Sequence, residues 1–158
     1  MELGFLDQLT SKVDAKGRVS IPAAHRSVLA NGDPSCEDGK NPHMLLVHSK
    51  SHKHCLRGFT VKAYKKMRKK ISKMKSGDDK DRAAEMLIEM VTVVQVDDNG
   101  RMILRKDIRE RFDIGPQAVF VGSDDHLQIW NHDTYFENLG DMGEGINPFE
   151  LIDRGTRA

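Results

Sequence analysis

The sequence predicts an α+β fold in which two related halves each carry an Asp-x-x-x-Arg motif. The first copy runs from Asp14 to Arg18 and the second from Asp97 to Arg101, 83 residues further along the 158-residue chain. In both copies a glycine precedes the arginine, and apolar residues alternate with other residues after it. A segment with helical spacing of its apolar residues separates the copies. Repetition within one chain indicates two related structural units.

The first half has the pattern of short strands and one short helix. Its predicted elements are a strand over residues 9–13, a turn over 14–17, a strand over 18–21, a helix from Pro22 to residue 29, a loop over 31–43, and a hairpin of strands 44–48 and 55–59. Val19 and Ile21 alternate with polar residues, which is typical of a strand with one buried face. Pro22 suits the first turn of a helix because its φ is fixed and its missing N–H is not needed there.

A helical hairpin is predicted between the halves. Segment 61–74 places Tyr64, Met67, Ile71 and Met74 on one face at spacings of three and four. The sequence Ser76-Gly77-Asp78 then ends this helix and begins the next one.

The second half repeats the order of the first. Its predicted elements are strands over 93–96, 117–121 and 127–130, a helix over 107–112 and a final helix over 133–139. Arg26 aligns with Arg109, and residues 56–64 align with 127–135. The offset between aligned residues is 83 at Arg26 but 71 at residues 56–64. The first half therefore carries about twelve extra residues, which lie within 31–43.

Charge is unevenly distributed along the chain. The formal net charge is +1, but residues 1–75 carry +10 and residues 76–158 carry −9. This asymmetry suits a polyanionic partner or head-to-tail contact between subunits. The sequence has no run of eighteen apolar residues, no evident secretory signal and only two cysteines, so we expect a protein of the reducing cytoplasm. We expect neither an enzyme nor a cofactor, because the sequence lacks a phosphate loop and a nucleophile with a nearby base.

The two motifs resemble those of the MraZ family of bacterial transcription regulators. Asp14 to Pro22 is close to the family's Asp-Ala-Lys-Gly-Arg signature, and Asp97 to Arg101 matches its second copy. The resemblance covers residues 5–139 and implies a pseudo-two-fold, swapped-hairpin, β-barrel-like core akin to AbrB-type folds. It divides the chain into a first repeat (5–64), a helical connection (65–90) and a second repeat (91–139). Residues 140–158, which contain four glycines and have no convincing apolar period, are predicted to form a flexible tail.

The resemblance also implies a function. It implies a sequence-specific, DNA-binding repressor of the division and cell-wall gene cluster, which binds short G-rich direct repeats in its own promoter. It implies a ring-shaped homo-oligomer, an octamer being one candidate, in the cytoplasm at the nucleoid. The alternative is a ring-forming structural or interaction protein whose turns only mediate contacts between subunits.

Arg18 and Arg101 are the main candidates for DNA recognition. An arginine four residues after an aspartate can form a local ion pair, which contributes only about 0–1 kcal/mol when exposed. The same arginine can donate two hydrogen bonds to guanine O6 and N7 in the major groove. Both roles are compatible, since Asp14 and Asp97 can hold the arginines in place until DNA arrives.

The remaining turn residues have supporting roles in this interpretation. Lys16 suits a DNA phosphate, whereas Asn99 can hydrogen-bond a phosphate or a base but brings no charge. Gly17 and Gly100 allow the backbone conformation of the turns.

Two further clusters have simpler interpretations. The lysine-rich helix over 62–75 is read as a solvated face, with contact to DNA or an acidic neighbouring subunit as the alternative. A metal site is not expected, because the candidate ligands lie in a hairpin and a polar loop and lack a shared helical face. These candidate ligands are His43, His48, His52, His54, Cys36 and Cys55.

Overall fold

The computed structural model describes residues 3–50, 54–140 and 145–157. The first repeat contains β1 (Gln8–Lys12), β2 (Arg18–Ser20), α1 (Ala23–Asn31), β3 (His43–Val47) and β4 (Leu56–Phe59). The connection contains α2 (Val61–Ser72) and α3 (Asp78–Ala84), which continues as a π-helical turn over Glu85–Glu89. The second repeat contains β5 (Val91–Gln95), β6 (Arg101–Ile103), α4 (Lys106–Arg111), β7 (Gln117–Ser123), β8 (His126–Asn131) and α5 (His132–Gly140), and α6 (Pro148–Thr156) follows it.

The strands of the two repeats are interleaved. Six of them form one antiparallel sheet in the order β1-β7-β8-β4-β3-β5, and β2 pairs with β6 in a separate two-stranded ribbon. Each outer strand of the sheet pairs with the inner hairpin of the opposite repeat, because β1 pairs with β7 and β5 pairs with β3. The inner hairpins meet where β4 pairs with β8. Neither repeat therefore completes its sheet alone.

The β-barrel-like closure that the resemblance implied is wrong. The six-stranded sheet is open, with β1 and β5 at its two edges. The chain leaves β1 through the turn at Asp14 and leaves β5 through the turn at Asp97, and the three-residue strands that follow pair with each other. In the part of the chain that the structure describes, the bridge from Val13 to Val19 connects ribbon and sheet but does not extend into a ladder that could close a barrel.

Strand register relates the two repeats by a pseudo-two-fold. In the ribbon, Val19 pairs with Met102, and these two residues occupy the same position of the two repeats. In the sheet, Arg57 pairs with Gln128, which are also equivalent positions. An antiparallel ladder in which equivalent residues face each other has a local two-fold at that pair. Two such pairs in separate ladders support a two-fold for the whole unit.

One hydrophobic core serves both repeats. It contains the inward-facing ribbon residues Val19 and Met102, and Leu29 and Phe112, which the alignment of the repeats places at equivalent positions. All four side chains are buried. A half of about 75 residues has too little interior to be stable alone, so each repeat depends on this shared core.

The helical connection packs on the sheet through a few residues of α2. The Thr60 side chain accepts a hydrogen bond from the backbone N–H of Ala63 (3.0 Å) and so caps the helix. Tyr64 and Ile71 are buried, and the Tyr64 hydroxyl donates to the Leu87 carbonyl (2.7 Å). None of the described helices combines the length and apolar composition that crossing a membrane requires.

The tail differs from the expectation of an aperiodic segment. Residues 141–144 and 158 lie outside the described residues, but Pro148–Thr156 forms α6. The Asn147 side chain accepts a hydrogen bond from the Phe149 N–H (3.0 Å), which caps this helix. Its apolar residues Phe149, Leu151 and Ile152 are exposed.

Candidate nucleic-acid interface

The first Asp-x-x-x-Arg motif forms a compact turn organised by the Asp14 carboxylate. Its Oδ1 accepts hydrogen bonds from the backbone N–H groups of Lys16 (3.0 Å) and Arg18 (2.9 Å), and its Oδ2 accepts one from Arg18 Nε (2.6 Å). Gly17 donates to the Asp14 carbonyl (2.9 Å) with a φ of 83°. The backbone N–H and guanidinium of Arg18 lower the pKa of Asp14, so this turn carries an ionised carboxylate at neutral pH.

The second turn has the same backbone but a looser arginine. The Asp97 carboxylate accepts from the N–H groups of Asn99 and Arg101, both at 2.9 Å. The Arg101 Nε lies 3.9 Å from Asp97 Oδ2, and this buried nitrogen has no hydrogen-bond partner among the described residues. The N–H of Arg101 is the main cause that lowers the pKa of Asp97, and the charge of Arg18 contributes from the other repeat.

The ribbon places both arginines on one face. Arg18 pairs with Ile103, and Ser20 pairs with Arg101, so the arginines are diagonal neighbours across the two strands. Diagonal neighbours in an antiparallel pair lie about 7–8 Å apart. The opposite face, formed by Val19 and Met102, is buried. The arginines therefore project from a rigid base.

The two turns lie at opposite ends of this ribbon and are held by the opposite repeat. The Ile21 N–H donates to the Gly100 carbonyl (2.9 Å), and the Leu104 N–H donates to the Gly17 carbonyl (2.8 Å). These two hydrogen bonds join equivalent residues and so follow the pseudo-two-fold. Each turn therefore depends on the other repeat for its position.

Two helix arginines, Arg26 of α1 and Arg109 of α4, also lie against the turn of the opposite repeat. A side chain on Gly17 would contact the Leu104 carbonyl and approach Arg109 Nε to 3.0 Å. A side chain on Gly100 would meet the Arg26 guanidinium. Arg109 Nε also donates to the Leu104 carbonyl (2.9 Å). The sequence analysis aligned Arg26 with Arg109 but did not predict that each lies against the turn of the opposite repeat. Arg26 is far from Gly100 in the chain, and Arg109 is far from Gly17.

The outer face of the ribbon borders a cationic concavity of about 570 Å³. Lys12, Arg18 and Arg101 supply its positive charge and Asp14 its negative charge. Lys16 and Asn99 are exposed on the tips of the two turns. The structure thus brings Arg18 and Arg101 together and puts Lys16 and Asn99 at the two ends. The sequence interpretation missed Lys12, although it lies two residues before the first motif.

Three of the residues considered as metal ligands, His43, His48 and Cys36, have other partners. His43 Nδ1 lies 2.9 Å from the Asp33 carboxylate, and Arg111 Nη1 lies 3.0 Å from His48 Nδ1. Cys36 Sγ donates to the Lys40 carbonyl. His52 lies outside the described residues. Over residues 3–50, 54–140 and 145–157, no group of three His, Cys, Asp or Glu side chains is placed to hold a metal ion.

The lysine-rich helix α2 has an exposed cationic face. The exposed residues are Lys65, Lys66, Arg68, Lys69, Lys70 and Lys73. This agrees with a solvated face and leaves contact with DNA or an acidic neighbour as a separate possibility to test.

The fold and the site define a class of internally duplicated α+β proteins that present two arginine-bearing turns on one β-ribbon. No protein-family model matches the chain. The chain is 30% identical over 158 residues to the "Transcriptional regulator MraZ" of Ruegeria sp. strain TM1040, covering 94% of this chain and 95% of that protein. It is 31% identical over 157 residues to the protein of the same name from Cereibacter sphaeroides strain ATCC 17029, covering 94% and 92%. The chain therefore belongs to the MraZ family. These relatives are named as regulators and not as enzymes, in agreement with the expectation of a non-enzymatic protein.

Proposed function

We propose that the chain is a DNA-binding transcriptional regulator that reads guanine bases with Arg18 and Arg101. The observation that carries the proposal is the diagonal placement of these arginines on one exposed ribbon face. Membership in a family of proteins named transcriptional regulators supports it. A two-stranded β-ribbon fits into the major groove, where arginine binds guanine O6 and N7 with two hydrogen bonds.

The spacing of the arginines fits neighbouring base pairs. Base pairs are stacked about 3.4 Å apart, so side chains about 7–8 Å apart span two base-pair steps. Ile103 is exposed on the same face, directly opposite Arg18, where it suits contact with a thymine methyl group. One ribbon would therefore read a short, G-containing site.

The turns would hold the ribbon in the groove. Lys16 and Asn99 lie at opposite ends of the ribbon, where the phosphate strands on the two sides of the major groove would pass. Phosphate contacts of this kind set position and register without reading sequence. Asp14 and Asp97 would orient the arginines before DNA binds, and Gly17 and Gly100 would let the turns approach closely.

One ribbon makes few base contacts, so we propose a multivalent complex. Several copies of this chain in a ring would present several ribbons, and matched direct repeats would raise the effective concentration of each further contact. The exposed apolar residues of α6 are suited to such an assembly. An octamer is one arrangement of this kind.

The biological role we propose follows the family resemblance. The protein would repress the division and cell-wall gene cluster by binding short G-rich direct repeats in its own promoter, in the cytoplasm at the nucleoid. The repeat units 5–64 and 91–139 would together form one DNA-binding surface. The alternative is a ring-forming interaction protein in which the same turns contact only other subunits.

A gel-shift titration with a duplex from the promoter of the gene that encodes this chain, at two salt concentrations, tests the proposal. We expect sequence-specific binding that Arg18→Ala and Arg101→Ala remove and that Arg154→Ala on α6 leaves intact. A second duplex with half a helical turn inserted between repeats should bind more weakly, since it turns the sites to opposite sides of the DNA. Failure of the wild-type protein to retain the promoter duplex at either salt concentration would favour the alternative.

A further inference from the structure

The two turns differ in charge at equivalent positions near their tips. The first carries Lys16, which is exposed, whereas the second carries Asn99. The second tip also has Asp98, where the first has Ala15. By itself the second turn is thus less suited to a phosphate than the first.

The inserted segment of the first repeat is anchored by a buried carboxylate. Asp33 accepts hydrogen bonds from the backbone N–H (3.0 Å) and hydroxyl (2.7 Å) of Ser35 and from the backbone N–H of His43 (2.8 Å). Burial raises the pKa of Asp33, but its hydrogen bonds with His43 and Ser35 outweigh burial and hold the pKa at about 2. The segment therefore has a fixed path between α1 and β3.

This path brings the insertion against the second turn. Asn41 Nδ2 donates to Asp98 Oδ1 (2.9 Å), and Gln95 Nε2 donates to the Asn41 carbonyl (3.0 Å). The first contact engages the acidic side chain that distinguishes the second tip. Neither contact has a counterpart at the first turn in the described residues, because the second repeat lacks the insertion.

Lys40 stands next to this contact. Its neighbour Asn41 is hydrogen-bonded to Asp98, which is the neighbour of Asn99. Lys40 is exposed and borders a concave surface of about 830 Å³. The same surface is bordered by Arg26, Asn99 and Gly100 and by the carboxylates of Asp97 and Asp98. No carboxylate of the described residues forms an ion pair with Lys40. Lys40 thus lies, without an ion-pair partner among the described residues, beside the turn tip that has no lysine of its own.

We infer that Lys40 binds the DNA phosphate at the second turn that Lys16 binds at the first, and that the insertion is the element that positions it. The inference rests on the proposed DNA-binding function. It assigns the insertion a role in recognition and gives each end of the ribbon one lysine for a phosphate contact.

The test compares the salt dependence of DNA binding among matched variants. Fluorescence anisotropy with the promoter duplex and with an unrelated duplex at several salt concentrations gives the slope of log K against log salt. Lys40→Ala should reduce the magnitude of this negative slope by about 0.9 for each protomer engaged. Arg154→Ala should leave the slope unchanged. Asn99→Lys added to Lys40→Ala should restore the slope, because it puts a cation where the first turn has Lys16.

Either of two results would overturn the inference. One is a Lys40→Ala slope equal to that of the wild type. The other is a reduced slope that Asn99→Lys does not restore, which would show that Lys40 does not contact the phosphate at the second turn. Arg18→Ala in the same assay tests the proposed function separately: if promoter affinity survives that change, base reading by Arg18 fails even where Lys40→Ala alters the slope.

Discussion

Val19 and Met102 occupy the same position of the two repeats and pair directly with each other in the β2–β6 ribbon. Both side chains are buried beneath the ribbon. Since this pair lies on the local pseudo-two-fold, the arginine that precedes Val19 and the arginine that precedes Met102 emerge on the same outer face. Duplication of one motif has thereby placed two arginines on one surface of a single chain.

Arg18→Ala should abolish recognition of a G-rich repeat without disturbing the fold. The side chain is partly exposed, so its removal leaves no buried void. A lost bidentate contact costs about 1–3 kcal/mol per site, and the effect multiplies over sites bound together. Promoter affinity and circular dichroism measure the two parts of this expectation. Arg101→Ala should act in the same way, and wild-type affinity in either variant would count against base reading.

Lys16→Ala should weaken binding to every DNA sequence and flatten its dependence on salt. Each phosphate contact contributes about 0.9 to the slope of log K against log salt. Lys16→Arg is the matched control, because it keeps the charge and should keep the slope. If the slope of Lys16→Ala is unchanged while discrimination between sequences falls, Lys16 contacts a base and the phosphate role is wrong.

Gly17→Ala should destabilise the protein through both strain and crowding. Gly17 has a φ of 83°, and an added Cβ would contact the Leu104 carbonyl of the other repeat. Where the native conformation does not suit alanine, the cost exceeds about 1 kcal/mol. Denaturant unfolding measures it.

Two other glycines separate the causes. Gly39 has a φ of 70° with open space around it, and Gly155 has open space without a positive φ. The expected order of destabilisation is Gly17→Ala, then Gly39→Ala, then Gly155→Ala. A Gly17→Ala variant as stable as Gly155→Ala would show that the turn adapts freely.

Asp33 should make the free energy of unfolding depend on acid pH. Its pKa is about 2 in the folded protein and 3.8 as a reference value, so the folded state favours the ionised form. The contribution is complete above the unfolded pKa and is lost as pH falls through the folded value. Since one pKa unit corresponds to about 1.4 kcal/mol, roughly 2 kcal/mol is at stake.

Asp33→Asn isolates this effect from the other carboxylates. The stability difference between wild type and variant should be largest near neutral pH and should shrink between about pH 4 and pH 2. Urea unfolding at several pH values measures it. A difference that stays constant across this range would mean that the charge of Asp33 does not contribute.

The sequence was sufficient for local structure and for the motifs, but not for the order of the strands in the sheet. The alternation around Val19 predicted a strand, and Pro22 lies at the start of the next helix as its N-cap residue rather than within its first turn. The sheet does not close into a barrel, because whether its edge strands β1 and β5 meet is decided by tertiary contacts that no local pattern encodes. The hydrogen bond from Asn41 to Asp98 crosses 57 positions, so no local pattern reveals it.

Helix α6 was missed although its start carries a signal. Asn147 as the N-cap and Pro148 in the first turn form a recognisable beginning of a helix. The apolar residues that follow are few, and the four glycines of segment 140–158 indicated irregular structure. Capping chemistry was the better guide here, because a helix of nine residues offers little periodicity.

Removing residues 140–158 should leave intact the β2–β6 ribbon that we propose to read DNA. The described part of this segment is exposed, and its acidic residues Glu150 and Asp153 are poorly suited to phosphates. Its exposed apolar residues Phe149, Leu151 and Ile152 suit a contact with another subunit instead. The deletion should therefore preserve binding to a single repeat while lowering both the oligomer mass and the gain in affinity from multiple repeats. Light scattering and promoter titrations measure these quantities together, with Phe149→Ser in the full-length chain as the point-mutation counterpart. Loss of single-repeat binding with the oligomer mass unchanged would instead reveal a direct contact between the tail and DNA.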